Sequence, residues 1–409
     1  METKIYNATQ SGFRKGHSAT TLLLKLRDDI VKSMNKNEVT IAVMIDYLKA
    51  FDTVDHSILI RKLGRLGFGK SIIQLIISYL SNRNQYVQVD DRKSQTKNIY
   101  FGVPQGSILG PILFNIYVTN LPAEIQTPSL QYADDTTLTK SCPRSDLIQA
   151  LKEIETDLTN LCNWSKNNGL IFNSDKLQMM VIRKPRSLPF DRFYLLRSEG
   201  KSVKNEQFVK LLGIQIDENL SWLPQVNYAT KSAYSILQTI KRFQRFTPYR
   251  VRKILAESLM LLKLSYCNMV YAEIPQYLKK RIQRVQSCAA GYVLGRYCTL
   301  KDVVELGWLL TEQRCELDFA VAGFKALNDQ NRPDYLPMEK LKQDRKLRSI
   351  DHGTMIKPGE NGTFNNQVCQ VFNDLPKNIR NLDEISLFYN QTKKYFLDKS
   401  LAVALAREG

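Results

Sequence analysis

Histidine and long apolar runs are what this chain has least of. Its three histidines, His17, His56 and His352, lie far apart and form no ligand motif, which leaves them as surface or capping residues rather than a metal centre. No apolar run reaches the roughly 18 to 20 residues that cross a bilayer, and the N-terminal stretch shows neither the apolar core nor the cleavage site of a secretory signal. The seven cysteines are scattered, odd in number and never spaced C-x-x-C. That pattern speaks against a disulfide framework or a zinc knuckle and for a reducing intracellular compartment. Asn-x-Ser/Thr triplets such as Asn219-Leu-Ser221 are therefore chance occurrences. Acidic residues are also short: 58 basic against 40 acidic side chains give a net charge of +18 over 409 residues. Such an excess points to a polyanionic partner.

What is present is organised around Gln131-Tyr-Ala-Asp-Asp-Thr-Thr-Leu138. Residues 130–133 and the β-branched 136–139 read as strands, which predicts a tight hairpin carrying Asp134 and Asp135 at its tip. Adjacent like charges become favourable at a turn when they are solvated or share a cation. Alone, the pair reads first as a solvated turn. The rest of the chain decides otherwise. Residues 39–45 are apolar at every position but Thr40, so they predict a central strand buried on both faces, with Asp46 delivered to the edge of its sheet.

Taken in order, Gln10-Ser-Gly-Phe-Arg-Lys-Gly-His17 reads as a loop with two glycines and basic side chains. Ser18 then caps a helix with Leu23, Leu26, Ile30 and Met34 at helical spacing. Asp55 caps a second helix with Ile58, Leu59, Leu63 and Leu66, and a third covers 71–80. Strands are expected at 86–89 and 98–101. Gly102-Val-Pro-Gln-Gly-Ser-Ile-Leu-Gly-Pro111 lacks the Gly-Lys-Ser/Thr ending of a P-loop; its glycines permit close approach of backbone to a ligand, and it enters an apolar helix through Phe114 and Tyr117. A long helix carries Leu147, Leu151, Ile154, Leu158 and Leu161 and stops at Gly169. Strands follow at 177–182 and within 208–216. Between 221 and 256 there is no acidic residue, whereas Lys231, Lys241, Arg242, Arg245, Arg250, Arg252 and Lys253 are present. An apolar stripe through Val226, Ala229, Ala233, Ile236, Ile240 and Phe243 makes this a helical segment that can pack on a core and face phosphates. The remainder is mostly helical in pattern, with basic clusters at Lys279-Lys-Arg281 and 345–348 and a loop or linker at 351–365.

Asp46 and Asp134 come from separate strands that a sheet can bring together. With Asp135 they form an oxygen-donor set suited to two magnesium ions, with manganese an alternative, about 3.5–4 Å apart. One ion would activate a primer 3′-hydroxyl and the other would bind a triphosphate, so the chemistry expected is phosphoryl transfer by positioning and charge neutralisation.

These residues carry a resemblance. Asp46-x-x-Lys-Ala-Phe-Asp52, Gly102-Val-Pro-Gln-Gly-Ser107, Tyr132-Ala-Asp-Asp135, Asn173-x-x-Lys176 and Leu212-Gly213 resemble, in order and spacing, the palm motifs of reverse transcriptases, in the wording of jockey-like non-LTR retrotransposons. Gln10-Ser-Gly-Phe-Arg14, Leu306-Gly-Trp-Leu309 and Asn373-Asp-Leu-Pro376 agree. The resemblance implies an α+β right-hand polymerase: partial fingers and palm over 1–220, a basic helical thumb over 221–300, and a helical C-terminal region over 301–409. It implies that Asp46, Asp134 and Asp135 bind the metals and that Lys176 approaches the leaving pyrophosphate. Phe51 would be a steric gate against a 2′-hydroxyl, Gln105 and Gly106 would contact the nucleotide, and Leu212 and Gly213 would grip the primer. The implied partners are an RNA template, a DNA primer and deoxynucleoside triphosphates, in the nucleus or a cytoplasmic ribonucleoprotein. Because Met1 stands only nine residues ahead of Gln10, most of the fingers segment that usually precedes this stretch is expected to be missing. Arg14 and Lys15 are then candidate remnants of its basic lining, which need not replace it. Two alternatives remain at this point: an RNA-dependent RNA polymerase, which Phe51 disfavours, and an inactive, nucleic-acid-binding relic.

Overall fold

The computed structural model describes residues 5–185, 195–329, 331–341 and 355–408. The basic cluster at 345–348, His352 and the beginning of the expected linker at 351–365 lie outside the described residues. The chain divides into two compact units, Met1–Leu22 with Ser33–Gln207, and Leu23–Lys32 with Phe208–Gly409.

Helix α1 (Ala19–Asn35) starts where the expected cap stands: Ser18 N–H donates to Thr21 Oγ1 at 2.9 Å and Thr21 N–H donates to Ser18 Oγ at 3.2 Å. These bonds satisfy donors that a helix N-terminus leaves unpaired. In the first unit, β1 (Val39–Ile45) is buried at every position and is followed by the short β2 (Tyr47–Leu48). Asp55 caps α2 (His56–Arg65) by accepting from Ser57 N at 2.8 Å and Ile58 N at 3.1 Å. After α3 (Lys70–Leu80) the chain makes an arm of two antiparallel pairs, β3 (Arg83–Gln85) with β6 (Lys97–Ile99) and, within it, β4 (Gln88–Val89) with β5 (Arg92–Lys93). The strands expected at 86–89 and 98–101 are thus shifted and broken up. The arm is exposed nearly throughout, so no buried face imposes an alternating pattern on its sequence.

The first unit continues with α4 (Leu109–Tyr117), β7 (Ser129–Tyr132), β8 (Asp135–Cys142), α5 (Leu147–Asn167), β9 (Ile171–Phe172), β10 (Gln178–Ile182) and the hairpin β11 (Leu195–Ser198) with β12 (Lys201–Lys204). The main sheet has the order β10-β1-β8-β7, all antiparallel, with β1 central. One face of β1, Val39, Ile41, Val43 and Ile45, packs in a single cluster with Leu113, Phe114 and Tyr117 of α4 and Ile154, Leu158 and Leu161 of α5. Full burial of each such side chain contributes roughly 1.5–3 kcal/mol. One core thus requires both the apolar alternate positions of β1 and the leucine stripe of α5.

In the second unit, β13 (Phe208–Leu211) and β14 (Ile214–Asp217) form a hairpin followed by α6 (Leu223–Lys241), α7 (Tyr249–Leu255) and α8 (Leu262–Ser265). Val226, Ala229, Ala233 and Ile240 of the expected stripe are buried, but Phe243 is exposed. The stripe breaks there because α6 ends at Lys241, a 3₁₀ turn spans Gln244–Phe246, and Pro248 keeps Thr247 extended. The helices α9 (Gln276–Leu294), α10 (Leu300–Glu305), α11 (Thr311–Asn328), α12 (Phe364–Asn373), α13 (Lys377–Arg380) and α14 (Ile385–Glu408) complete this unit. Asp28, in the α1 stretch that belongs here, accepts from Phe364 N at 2.9 Å with one carboxylate oxygen and at 3.1 Å with the other. No helix among the described residues is long and apolar enough to cross a membrane.

Candidate active site

The three acids are placed by the sheet. Asp46 directly follows β1, whose last residue Ile45 pairs with Thr136, next to Asp135 at the start of β8. Tyr132 pairs with Asp135, which leaves Ala133 and Asp134 as a two-residue turn, with Ala133 at φ 57°. A positive φ at the first position of such a turn matches the twist of the flanking strands.

Asp134 and Asp135 are half-buried. Burial is the main cause that pushes the Asp134 carboxyl above its ordinary pKa; the charge of Asp46 adds to it, while Lys176 opposes it. Burial, then Asp134, then Asp46 push Asp135 up to about 6. The acids therefore share one field. Oxygen-only donors that repel one another suit a hard divalent cation, and the donor chemistry fits magnesium. As placed, however, no group of three or more acidic, histidine or cysteine side chains among the described residues is close enough to hold an ion. Positive charge is supplied instead by Lys176, whose Nζ lies 2.8 Å from Asp46 Oδ2.

Asn173 also holds Asp46. Its N–H donates to the Asp46 carbonyl at 3.1 Å and its Nδ2 to Asp46 Oδ2 at 3.3 Å. This extends the β2–β9 pairing, in which Tyr47 lies opposite Phe172. In the sequence Asn173 marks only the start of the Asn173-x-x-Lys176 spacing, and the structure shows it bonded to both the backbone and the carboxylate of Asp46.

Phe51 is partly buried and stacks on Phe114 with ring centroids 4.2 Å apart and an interplanar angle of 19°. Its carbonyl accepts from Val103 N at 2.9 Å, and Gly102 N donates to Val54 O at 2.8 Å, so the glycine-rich turn is stitched onto residues 51–54. A Cβ on Gly102 would meet Asp52 Cα at 2.9 Å. The close approach that this glycine permits is thus to the protein's own backbone. Gln105 is exposed and donates from Nε2 to Asp52 Oδ1 at 2.8 Å, and Gly106 turns with φ +80° in open space.

Upstream, Gln10 is only 2% exposed, and Arg14 donates from Nη1 to the carbonyls of Gln10 at 2.9 Å and Asn7 at 3.0 Å. Arg14 therefore fastens its own loop. His56, expected as a surface or capping residue, places a ring nitrogen 2.7 Å from Gly102 O.

The second unit carries the other expected residues. Leu212 and Gly213 form the β13–β14 turn with φ values of 47° and 82°, and Tyr266 OH donates to Leu212 O at 2.8 Å. Lys231, Lys241, Arg242, Arg245 and Arg250 are exposed. Arg252 and Lys253 are half-buried and donate to the carbonyls of Tyr292 at 3.3 Å and Leu306 at 2.8 Å.

Comparison with known proteins agrees with the motifs. The probable RNA-directed DNA polymerase from transposon BS of Drosophila melanogaster is 30% identical over 252 residues, covering 59% of this chain and 27% of that protein. The RNA-directed DNA polymerase from mobile element jockey of the same fly is 29% identical over 230 residues, covering 54% of this chain and 24% of that protein. The chain thus spans about a quarter of the length of these relatives. Among solved structures, a telomerase from Candida tropicalis matches at a TM-score of 0.36 and 12% identity, covering 72% of this chain and 50% of that one. The family model described as reverse transcriptase (RNA-dependent DNA polymerase) matches residues 1–216, more than half of the chain. By that match, and by the polymerases of mobile elements it resembles, the chain belongs to the reverse transcriptase family.

Proposed function

We propose that this chain is the polymerase of a non-LTR retrotransposon, adding deoxynucleotides to a primer 3′-hydroxyl on an RNA template. The observation that carries this reading is the strand register that sets Asp46, directly after Ile45, beside the Asp134–Asp135 turn, with Lys176 bound to Asp46. Residues 1–220 would be palm with fingers elements, 221–300 the thumb, and 301–409 a further helical region.

Asp46, Asp134 and Asp135 would hold magnesium, or manganese, through carboxylate oxygens. When bound, the metal lowers the pKa of the attacking hydroxyl and neutralises charge on the triphosphate. The protein's own groups do the rest. Lys176, on an exposed and unbranched stem, can leave Asp46 for the departing pyrophosphate and offer it charge or a proton. Phe51, held flat against Phe114, would wall off the space of a 2′-hydroxyl. Gln105, steadied by Asp52, and the Gly106 backbone would contact sugar and phosphate. Leu212 and Gly213 would grip the primer end. Lys231, Lys241, Arg242, Arg245 and Arg250 would neutralise duplex phosphates, with Arg252 and Lys253 supporting them from half-buried positions.

The test is extension of a DNA primer on an RNA template with deoxynucleotides and magnesium. Extension by the wild-type chain and its loss in Asp134→Asn, with hybrid binding retained, is the expected result. Salt-dependent binding without extension by the wild-type chain would instead mark a nucleic-acid-binding relic.

A further inference from the structure

The turn that carries Asp134 has a second support besides its two strands. Residues 9–11 lie alongside β7: Gln10 bridges Gln131 in parallel, Ser11 N donates to Gln131 O at 2.8 Å, and Gln131 N donates to Thr9 O at 3.0 Å. This brings the Gln10 side chain, 2% exposed, to the turn. Its Oε1 accepts from Ala133 N at 2.9 Å and from Gly12 N at 2.9 Å, while its Nε2 donates to Ala133 O at 3.1 Å. One side-chain amide therefore satisfies both main-chain groups of Ala133.

Ala133 needs that hold. It adopts φ 57°, a left-handed conformation that a Cβ disfavours and that persists only where the surroundings over-determine it. Gly12 seals the contact, because a Cβ there would meet Ala133 N at 2.4 Å. Asn115, buried in α4, fixes Gly12 in turn by donating from Nδ2 to its carbonyl at 2.8 Å. The line from α4 through Asn115, Gly12 and Gln10 ends on the peptide that enters Asp134.

We infer that Gln10 is a positioning residue for the catalytic acids: its amide, locked by Gly12 and Asn115, sets the direction in which the Ala133–Asp134 peptide presents both carboxylates. The inference rests on the polymerase reading. A misdirected carboxylate weakens the hold on the metal and slows the reaction without touching the surfaces that bind nucleic acid, since small errors in geometry at a reacting centre are expensive in rate. Gln10 meets no substrate and acts only through Ala133.

Gln10→Met keeps the length of the side chain and removes both hydrogen-bonding functions. The full chain carrying it is compared with the wild type and with Ile154→Val, a truncation in the core on α5, in three measurements: single-nucleotide extension, Kd for the primer–template hybrid, and Mn2+ affinity by electron paramagnetic resonance. Gln10→Met is expected to lower kcat about 10- to 100-fold and weaken Mn2+ binding several-fold, with KM for the deoxynucleotide and Kd for the hybrid changed less than about 2-fold. Ile154→Val should change none of these by more than about 2-fold. Gly12→Ala should reproduce the kcat loss in whatever fraction stays folded. Unchanged kcat and Mn2+ affinity in Gln10→Met, beside an active wild type, overturn the positioning role alone. So does a loss of hybrid binding in parallel with kcat, which would mean general unfolding. A wild-type chain that does not extend primers overturns the polymerase reading and the inference with it.

Discussion

Lys176 donates to Asp46 across 2.8 Å while remaining 67% exposed itself. An exposed ammonium is free to change partner, and Asp46 is the acid that a metal would also claim. Lys176→Met should lower single-nucleotide extension by about 10- to 100-fold with little effect on hybrid Kd, whereas Asp134→Asn should abolish it. Rapid-quench kinetics separate the two, because a role at the leaving group slows chemistry and leaves binding intact.

Phe51 predicts a double effect. Phe51→Val should raise the efficiency of ribonucleotide incorporation relative to deoxynucleotide by at least about 10-fold, since a smaller side chain admits a 2′-hydroxyl. It should also lower stability by about 2–4 kcal/mol through the missing stack on Phe114 and the space left behind. Competitive incorporation assays and thermal unfolding read the two separately.

The basic residues after Ser221 should divide into two behaviours. Replacing Lys241, Arg242 or Arg245 by Ala should weaken hybrid binding at every sequence and reduce the slope of log Kd against log salt by about 1 for each phosphate left without its cation. Lys253→Ala should instead lower Tm, because its Nζ satisfies the Leu306 carbonyl. Salt titrations beside melting curves distinguish the classes.

Asp28 supplies a pH signature. Burial raises its carboxyl to about 6, against the bonds from Phe364 N and the charge of Arg27, which lower it. Between about pH 4 and 6 the unfolded chain has then released a proton that the folded chain keeps, so this group's contribution to stability falls as pH rises through that window and is constant above it. Asp28→Asn should flatten that part of the stability–pH profile, by an amount on the order of 1–3 kcal/mol. Melting curves of both proteins at pH 4 and pH 7 provide the check.

The sequence is most legible where one physical demand fixes a whole segment. A strand buried on both faces must be apolar at nearly every residue, and the one polar member of β1, Thr40, has its hydroxyl 2.9 Å from Ser141 Oγ, so 39–45 can be read with its boundaries, and with it the delivery of Asp46. The α5 stripe and the Ser18 and Asp55 caps are legible for the same reason. Gln10 is not, because a polar residue among glycines and basic side chains looks like a surface loop, and only the fold reveals that its amide is buried against Ala133. The exposed arm at 83–99 lacks a buried face to register its strands. Arg252 and Lys253 have the sequence pattern of their exposed neighbours; that their charges turn to carbonyls of distant helices depends on tertiary packing.

The central strand has a further consequence. Hydrogen-bonded along both edges, to β10 and β8, and buried at each of its seven positions, β1 has no route to solvent exchange short of opening the sheet. Its amides should be among the slowest in the first unit to exchange with deuterium, and those of the 83–99 arm among the fastest. Asp46 is thus tethered to a segment that stays closed through every smaller fluctuation, so the site can tolerate a restless periphery without losing the acid that anchors it.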